Sequence, residues 1–309
     1  MGGGYRPKSV VAGFLAAENL RHLAEQEGIH VCQGNIWSQY GIDNGDGDGS
    51  PSYPYYPSTQ HFLKPAQNSK DFIDCVNLDG WTCDFLAARR PGFEGGFNSR
   101  MGVGPIETYR NLGEENGFKE AIATTAAHFD RGFALNGFAW VTNIWEISLA
   151  EQIRISNLTR WLRAVIERWP ETKIITEGEF GMAWRDAHKG KNDWDYRFEQ
   201  TGTGLQGSDA DKTIQWFMNP LFRLALLQSQ VIDFTRYDLQ ATEPADATPD
   251  APTRNWSLMN RINQKCTRPQ DKPVPLKALA REDLAMVLER YPELRKLSTQ
   301  AVIAPARSQ

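Results

Sequence analysis

Residues 9–33, "SVVAGFLAAENLRHLAEQEGIHVCQ", contain the pattern that decides the fold class. The apolar run at 9–14 predicts a strand, and apolar residues at helical spacing between Leu15 and Ala24 predict an amphipathic helix. Gly28 is typical of a helix C-cap, and the "IHVC" that follows it predicts a second strand. A strand, a helix and a strand in succession indicate parallel strands joined by a crossover helix.

The same alternation continues along the chain. Further strands are predicted at 71–78, 133–143, 173–176 and 231–238, and helices at 82–89, 114–129, 147–169, 211–228 (interrupted at Pro220) and 280–298. Polar segments follow the strands, at the edge where α/β proteins build their sites. We therefore predict an α/β fold, either a (β/α) barrel or an incomplete one, with parallel strands and long βα loops. The barrel-type catalytic domain is expected at 1–240, followed by a linker-like and helical C-terminal tail at 241–309.

The composition excludes several classes of partner. The chain has 309 residues, of which 40% are hydrophobic and 23% charged, which is typical of a globular protein with a sizeable core. A net charge of −4 with scattered basic residues gives no electrostatic footprint for nucleic acid. No apolar run approaches the roughly 20 residues of a membrane span, and "MGGGYRPKSV" lacks the apolar core of a signal peptide. We expect neither a nucleic-acid nor a membrane partner, and the compartment stays open.

An unusual loop, "WSQYGIDNGDGDGSPSYPYYP" at 37–57, follows the second strand. Its "NGDGDG" places oxygen ligands at Asn44, Asp46 and Asp48, which suits a hard cation such as Ca²⁺. Position twelve of that register is Tyr55 rather than Glu, and no helix precedes the loop, so an EF-hand is excluded. Two interpretations remain, a calcium loop of another kind and a tight Asp/Gly turn with solvated carboxylates.

Carboxylates directly after predicted strands are the strongest functional pattern. They are Asp79, Glu146, Glu177, Glu179 and Asp238. Glycoside hydrolysis needs two carboxyl groups, a proton donor and a nucleophile or base. Burial raises the pKa of one carboxyl and leaves the other ionised, which separates the two roles. The alternative for each residue is a helix cap or an ion pair with arginine.

We predict that Glu146 and either Glu177 or Glu179, with Glu179 preferred, form the catalytic pair, and that Asp79 is a further candidate. The strands predicted at 133–143 and 173–176 are consecutive, so they are expected to lie side by side, about 4.8 Å apart. The competing interpretation is that "TEGEFG" begins a helix, with a glutamate satisfying free N–H groups.

Aromatic residues are abundant, with ten Trp, nine Tyr and fifteen Phe. Rings near the candidate carboxylates are predicted to stack on sugar faces, with Asp238 as a further substrate-binding residue. These rings are Trp37, Trp81, Trp140, Trp145 and Trp184. The expected substrate is an oligo- or polysaccharide.

Other motifs are weaker. "GTGLQG" at 202–207 has the spacing of a dinucleotide loop but follows the polar "DYRFEQT", so a simple loop is the better interpretation. No CxxC or closely spaced histidine pair indicates a zinc site. A nucleophilic Cys83 has only its residue type in its favour.

Segments 4–58, 71–90 and 97–108 resemble a bacterial family known as domain of unknown function 3863, a resemblance that extends over about residues 4–240. Resemblance to this family does not specify a reaction. Its members begin upstream of Met1, and the resemblance therefore implies that the chain lacks an N-terminal part. The first segment also resembles the later half of polysaccharide-deacetylase-like (β/α) barrels. That resemblance implies metal ligands upstream and a partial barrel with exposed apolar edges.

The sequence therefore favours a carbohydrate-active hydrolase, specifically a glycoside hydrolase with paired carboxylates. One alternative is a metal-assisted, deacetylase-like hydrolase with its ligands upstream. Another is a catalytically silent carbohydrate-binding protein that uses the same aromatic cleft.

Overall fold

The computed structural model describes residues 4, 6–12, 15–35, 49–80, 82–88, 101–104, 106–142, 154–243 and 273–299. Its first sheet is parallel, with strands β1 (Val10–Val11), β2 (Val31–Asn35) and β3 (Val76–Asp79) in that order. Helix α1 (Ala17–His22) connects β1 to β2 and continues as a π-helical turn, Leu23–Glu27. Gly28 ends the helix with φ of +66°. The predicted strand–helix–strand unit is confirmed.

The middle of the chain is mostly helical, and its last helix packs on β2 and β3 of this sheet. Its helical elements are α2 (Phe85–Ala88), α3 (Ile106–Ala126, interrupted at Gly113), a π-helical turn (Ala127–Gly132), α4 (Phe133–Asn136), α5 (Ile155–Arg168) and α6 (Glu177–His188). The helices predicted at 82–89, 114–129 and 147–169 exist, although α2 begins only at Phe85 and α5 only at Ile155.

Two predicted strands are wrong. The segment 133–136 extends the preceding helix until Gly137 ends it with φ of +74°. Neither 137–142 nor 173–176 forms a strand. Thr176 and Glu179 form a capping box that begins α6, and this local signal outweighs the short β-branched run "KIIT".

The second sheet is antiparallel, with five strands in sequential order. They are β4 (Tyr196–Thr201), β5 (Thr213–Met218), β6 (Phe222–Leu227), β7 (Gln230–Arg236) and β8 (Val274–Pro275). The helix predicted at 211–228 is wrong, because Pro220 lies in a turn between β5 and β6. The Asn219 side chain accepts the N–H groups of Leu221 and Phe222 there. The strand predicted at 231–238 exists but pairs antiparallel.

The antiparallel sheet lies between two hydrophobic cores. One face, including Phe198, Ile214 and Trp216, packs with the parallel strands and α6. The other face, including Phe222 and Phe234, is covered by α7 (Arg281–Arg290) and α8 (Arg295–Thr299). The predicted helical segment at 280–298 is therefore confirmed, with a 3₁₀ turn, Pro292–Leu294, between its two helices. The described strands form these two sheets and no closed barrel.

Helix α6 lies along the beginnings of all three parallel strands. A Cβ atom at Gly178 would lie 3.2 Å from Ser9 Oγ, just before β1. A Cβ at Gly181 would lie 2.4 Å from Val31 Cγ1, at the first residue of β2. One turn further on, Arg185 Nε donates to Asp74 Oδ1 at 2.8 Å, just before β3. The spacing of these contacts, three to four residues, places one face of α6 against the sheet.

We expect Gly181→Ala to destabilise the protein by about 1–3 kcal/mol, because the new methyl group overlaps the stiff, buried Val31 side chain. Gly132→Ala is the matched control, since Gly132 is also helical and its Cβ would be in ordinary contact at 3.4 Å. The control variant should be neutral or gain up to about 1 kcal/mol from helix propensity. Denaturant unfolding measures both, and equal effects would contradict the close approach of α6 to β2.

Candidate functional site

A cavity of about 1490 Å³ lies beside the first turn of α6. Its walls come from the segment 137–142, from α5 and from the segment 169–177 that leads into α6. Most of the lining side chains are apolar or aromatic, and Glu177 is one of the few acids among them. A large concave pocket with a few converging polar groups is the usual form of a ligand site.

Glu177 is the most perturbed carboxyl group in this wall. Its Oε1 atom is buried and has no hydrogen-bond partner. Burial raises the pKa of Glu177 to about 7. A helix N-terminus favours the charged form of a carboxylate, so burial outweighs that effect here. At neutral pH this group is therefore available as a proton donor.

Glu179 has a different environment from Glu177, although the two residues are separated only by Gly178. Its Oε2 atom accepts hydrogen bonds from the Thr176 N–H and hydroxyl, both at 2.9 Å. These hydrogen bonds lower the pKa of Glu179, which is exposed and does not line the cavity. The competing interpretation, that "TEGEFG" begins a helix, is the one observed, because both glutamates lie in the first turn of α6. The catalytic role predicted for Glu179 stays a prediction, and its observed contacts are those of a helix cap.

The aromatic residues divide into wall and core. Trp140 stacks on Phe180 with 4.9 Å between ring centroids and an interplanar angle of 11°, and both line the cavity. Trp184 is buried, donates from Nε1 to Tyr196 Oη at 2.9 Å and stacks on His188 at 4.0 Å. The structure therefore brings Trp140 to the cavity with Glu177, and it places Trp184 in the core.

Two other predicted carboxylates lie away from the cavity lining. Asp79 is buried at the final residue of β3, whereas α6 lies along the beginnings of the strands. Asp238 receives two hydrogen bonds from Arg236, which also donates to Asp283 Oδ1 of α7 at 2.8 Å. For Asp238 the observed contact is the ion pair with arginine, and the Arg236–Asp283 contact connects the end of β7 to α7.

Several predicted residues lie outside the part of the chain that the structure describes. They are Trp37, Asn44, Asp46, Asp48, Trp81, Trp145 and Glu146. The calcium loop and the pairing of Glu146 therefore stay predictions. Among the residues that are described, no three His, Cys, Asp or Glu side chains converge as metal ligands.

The burial of the described cysteines does not support a nucleophilic cysteine. Cys32, Cys75 and Cys83 carry thiols rather than disulfides and have no solvent exposure. Burial also raises the pKa of the Cys32 thiol. Reactive cysteines are accessible and have a lowered pKa, so these residues resemble structural thiols.

Phe180 lines the cavity, although it is not among the rings predicted from the sequence to stack on sugar faces. A signal was present, because Phe180 lies three residues after Glu177, and that spacing puts two side chains on one helix face. The signal becomes visible only when Thr176 is recognised as the N-cap.

No helix in the described part of the chain is long and apolar enough to cross a membrane.

Comparison with known proteins now identifies the family. The family model of domain of unknown function 3863, described as a domain with a solved structure, matches residues 1–218. A second model, domain of unknown function 3864, matches residues 223–294. The chain belongs to the domain of unknown function 3863 family, which confirms the resemblance found in the sequence.

A solved structure gives the functional context. The chain is 53% identical to a protein from Parabacteroides distasonis described as a "putative glycoside hydrolase/deacetylase". The two structures align with a TM-score of 0.87 over 95% of this chain and 71% of the other. The comparison with curated proteins gave no match.

We expect the Glu177 carboxyl to titrate near pH 7 and that of Glu179 below its usual value of 4.5. A raised carboxyl pKa in the folded state means that stability falls as the pH rises from about 4.5 to about 7. Glu177→Gln should remove that loss. Carbon-detected NMR of the carboxyl groups measures the titrations, and melting temperatures at pH 5 and pH 8 measure the linkage. A Glu177 titration near 4.5 would contradict its burial.

Proposed function

We propose that this chain forms part of a carbohydrate-active hydrolase in which Glu177 is the proton donor. The observation that carries the proposal is a partly buried glutamate, with its Oε1 atom fully buried and a pKa of about 7, in the wall of a large, aromatic-rich cavity. A general acid functions best when its pKa is close to the working pH. The description of the Parabacteroides distasonis relative supports the same class of chemistry.

Glycoside hydrolysis is the reaction that suits these groups best. In that reaction a protonated carboxyl donates to the oxygen of the leaving group. A second, ionised carboxylate acts as nucleophile or base. Glu146 remains our candidate for this second group, because it follows Thr142, a cavity-wall residue, by four positions. The rings of Trp140 and Phe180 supply the apolar surface against which a sugar face packs.

Two other acids, Asp130 and Glu171, line the cavity, and Asp130 is hydrogen-bonded and ion-paired. Asp130 accepts a hydrogen bond from Trp169 Nε1 at 2.6 Å and pairs with Arg168 at 3.0 Å. Glu171 is exposed. Neither has the buried environment of Glu177, so Glu177 is the stronger candidate for the acid.

We also propose a more specific fold for the parallel part of the chain. The parallel order of β1, β2 and β3 supports a (β/α) barrel or an incomplete one. If the chain is divided into 1–240 and 241–309, the second part contains β8, α7 and α8. These elements pack on the first part, because β8 pairs with β7 and the two helices cover the antiparallel sheet.

Glu177→Gln and Glu179→Gln are a matched pair of variants on one helical turn. With aryl glycosides and oligosaccharides as substrates, we expect Glu177→Gln to lose turnover by about 10²–10⁴-fold and to keep substrate binding. Glu179→Gln should keep its turnover, since its carboxyl caps α6. Equal turnover in the two variants would remove Glu177 from the mechanism.

The same assays distinguish the alternatives. A deacetylase would release acetate from acetylated saccharides, lose activity with a chelator and tolerate Glu177→Gln. A carbohydrate-binding protein would show affinity without turnover in the wild type and in both variants.

A further inference from the structure

The "GTGLQG" motif forms the turn between β4 and β5, and its glycines are required by the turn geometry. A Cβ atom at Gly202 would lie 2.1 Å from the carbonyl oxygen of Asp209, while Gly204 and Gly207 have φ of +82° and +83°. Within the turn, Thr203 N–H donates to Ser208 Oγ at 2.9 Å. This turn brings the hydroxyls of Thr203 and Ser208 to the same side.

Both hydroxyls donate to buried carboxyl groups on other elements. Ser208 Oγ donates to Asp84 Oδ2 at 2.6 Å, and Thr203 Oγ1 donates to Glu120 Oε2 at 2.7 Å. Asp84 comes directly before α2, and Glu120 lies on α3. The two carboxyls therefore connect the β4–β5 turn to two helices.

Asp84 has a further function as a helix cap. Its Oδ1 atom accepts the backbone N–H groups of Leu86 and Ala87, both at 2.9 Å. These are N–H groups that the first turn of α2 leaves without helical partners. Both oxygens of Asp84 are therefore used as acceptors.

Glu120 lacks one donor. Its side chain has no solvent exposure, and its Oε1 atom has no well-aligned donor in the described part of the chain, although the Thr124 hydroxyl, one turn further along α3, lies close to the carboxyl. The carboxyl of Glu120 lies next to the Asp84 carboxyl, close enough for a strong electrostatic interaction. Two ionised carboxylates in contact and away from water repel each other strongly. A proton on one of them supplies the missing donor and removes the repulsion.

The positively charged side chains of the neighbouring elements do not neutralise the carboxyl pair in place of that proton. Lys212, after the turn, pairs with Asp209 at 2.9 Å, and Arg131 pairs with Glu199 of β4 at 2.7 Å. Lys119, beside Glu120 on α3, is exposed.

Among the other titratable groups on or next to these elements, Arg110 of α3 is exposed, whereas His128 and Glu107 are buried. His128 is buried between the rings of Phe85 and Phe198. Burial lowers the pKa of His128 to about 4, so it is neutral above that pH. Glu107, at the start of α3, is a further buried acid.

We propose that Asp84 and Glu120 share one exchangeable proton and form a protonation-dependent latch that fastens the β4–β5 turn to α2 and α3. When the proton is lost, the two carboxylates repel each other and the turn detaches. Burial and the neighbouring Asp84 both raise the pKa of Glu120 well above 4.5, which agrees with this arrangement.

The latch is connected to the cavity wall. Thr82, two residues before Asp84, accepts at Oγ1 a hydrogen bond from the Thr142 N–H at 2.8 Å. The Thr82 N–H donates to the Thr142 carbonyl at 3.4 Å. Thr142 lines the cavity. Opening of the latch is therefore expected to loosen this wall. Any effect of this loosening on activity rests on the proposed function, whereas the latch itself does not.

The test is hydrogen exchange of the amides of residues 203–208 in the full chain between pH 5 and pH 9, corrected for intrinsic rates. Because the folded pair binds its proton more tightly than the open one, opening is favoured as the pH rises. Exchange should accelerate by about tenfold for each pH unit between the usual carboxyl pKa and that of the folded pair. Glu120→Gln replaces the shared proton with an amide donor. Hydrogen exchange of residues 203–208 in this variant should therefore not depend on pH, and its melting temperature at pH 9 should be higher than that of the wild type.

Glu167→Gln, at an exposed carboxyl, is the control and should follow the wild type. Identical pH profiles for Glu120→Gln and the wild type would overturn the proposal. If Glu120→Gln does not fold, carboxyl NMR of the wild type decides, since two ionised carboxyls at pH 7 would also overturn it. A melting temperature that rises with added Ca²⁺ or Mg²⁺ at pH 9 would assign a cation rather than a proton to the pair.

Discussion

The fully buried guanidinium of Arg223 is the constraint on which the joining of the two sheets depends. It lies on β6, pairs with Asp233 of β7 and donates from Nη1 to the carbonyl oxygen of Ser50 at 2.7 Å. It also lies over the Trp216 ring, 4.9 Å from the centroid. A buried charge is tolerated only when its partners are in place. The antiparallel sheet and the segment beginning at residue 49 must therefore form together.

This anchor orders the chain that leads to the parallel sheet. Tyr237 Oη donates to the Gly49 carbonyl at 2.6 Å, beside the Arg223 contact. The following residues run through the core, where Tyr55 N–H donates to the Asn77 carbonyl of β3 at 3.3 Å. Tyr56 Oη donates to the Arg185 carbonyl of α6 at 3.2 Å. The position of α6, and with it that of Glu177, thus follows from contacts that begin in the antiparallel sheet.

The two acidic sites illustrate how burial gives similar side chains different chemistry. Glu177 and Glu179 share a helical turn, yet burial raises the pKa of one and hydrogen bonds to Thr176 lower that of the other. Asp84 and Glu120 lie deeper, where hydroxyls and helix N–H groups satisfy all but one acceptor. In both places the environment rather than the residue type decides which form of the carboxyl is stable.

The sequence by itself determined the features that depend on neighbours along the chain. The apolar spacing of α1 and the cap at Gly28 were sufficient to predict the first strand–helix–strand unit. A helical segment at 280–298 was also predictable. The carboxylate at Glu177 and the ring at Trp140 could be selected as site candidates from their positions in the chain.

Tertiary structure decided what local pattern left ambiguous. The apolar run at 211–228 has a composition that suits a buried helix or a strand, and only pairing with β4 and β7 made it two strands. The capping box of Thr176 and Glu179 is a local signal that begins α6, but only packing of α6 on the parallel sheet decided that the Glu177 carboxyl turns inward and that of Glu179 outward. Burial and long-range pairing depend on residues distant in the chain, so the choice between such alternatives exists only in the folded protein.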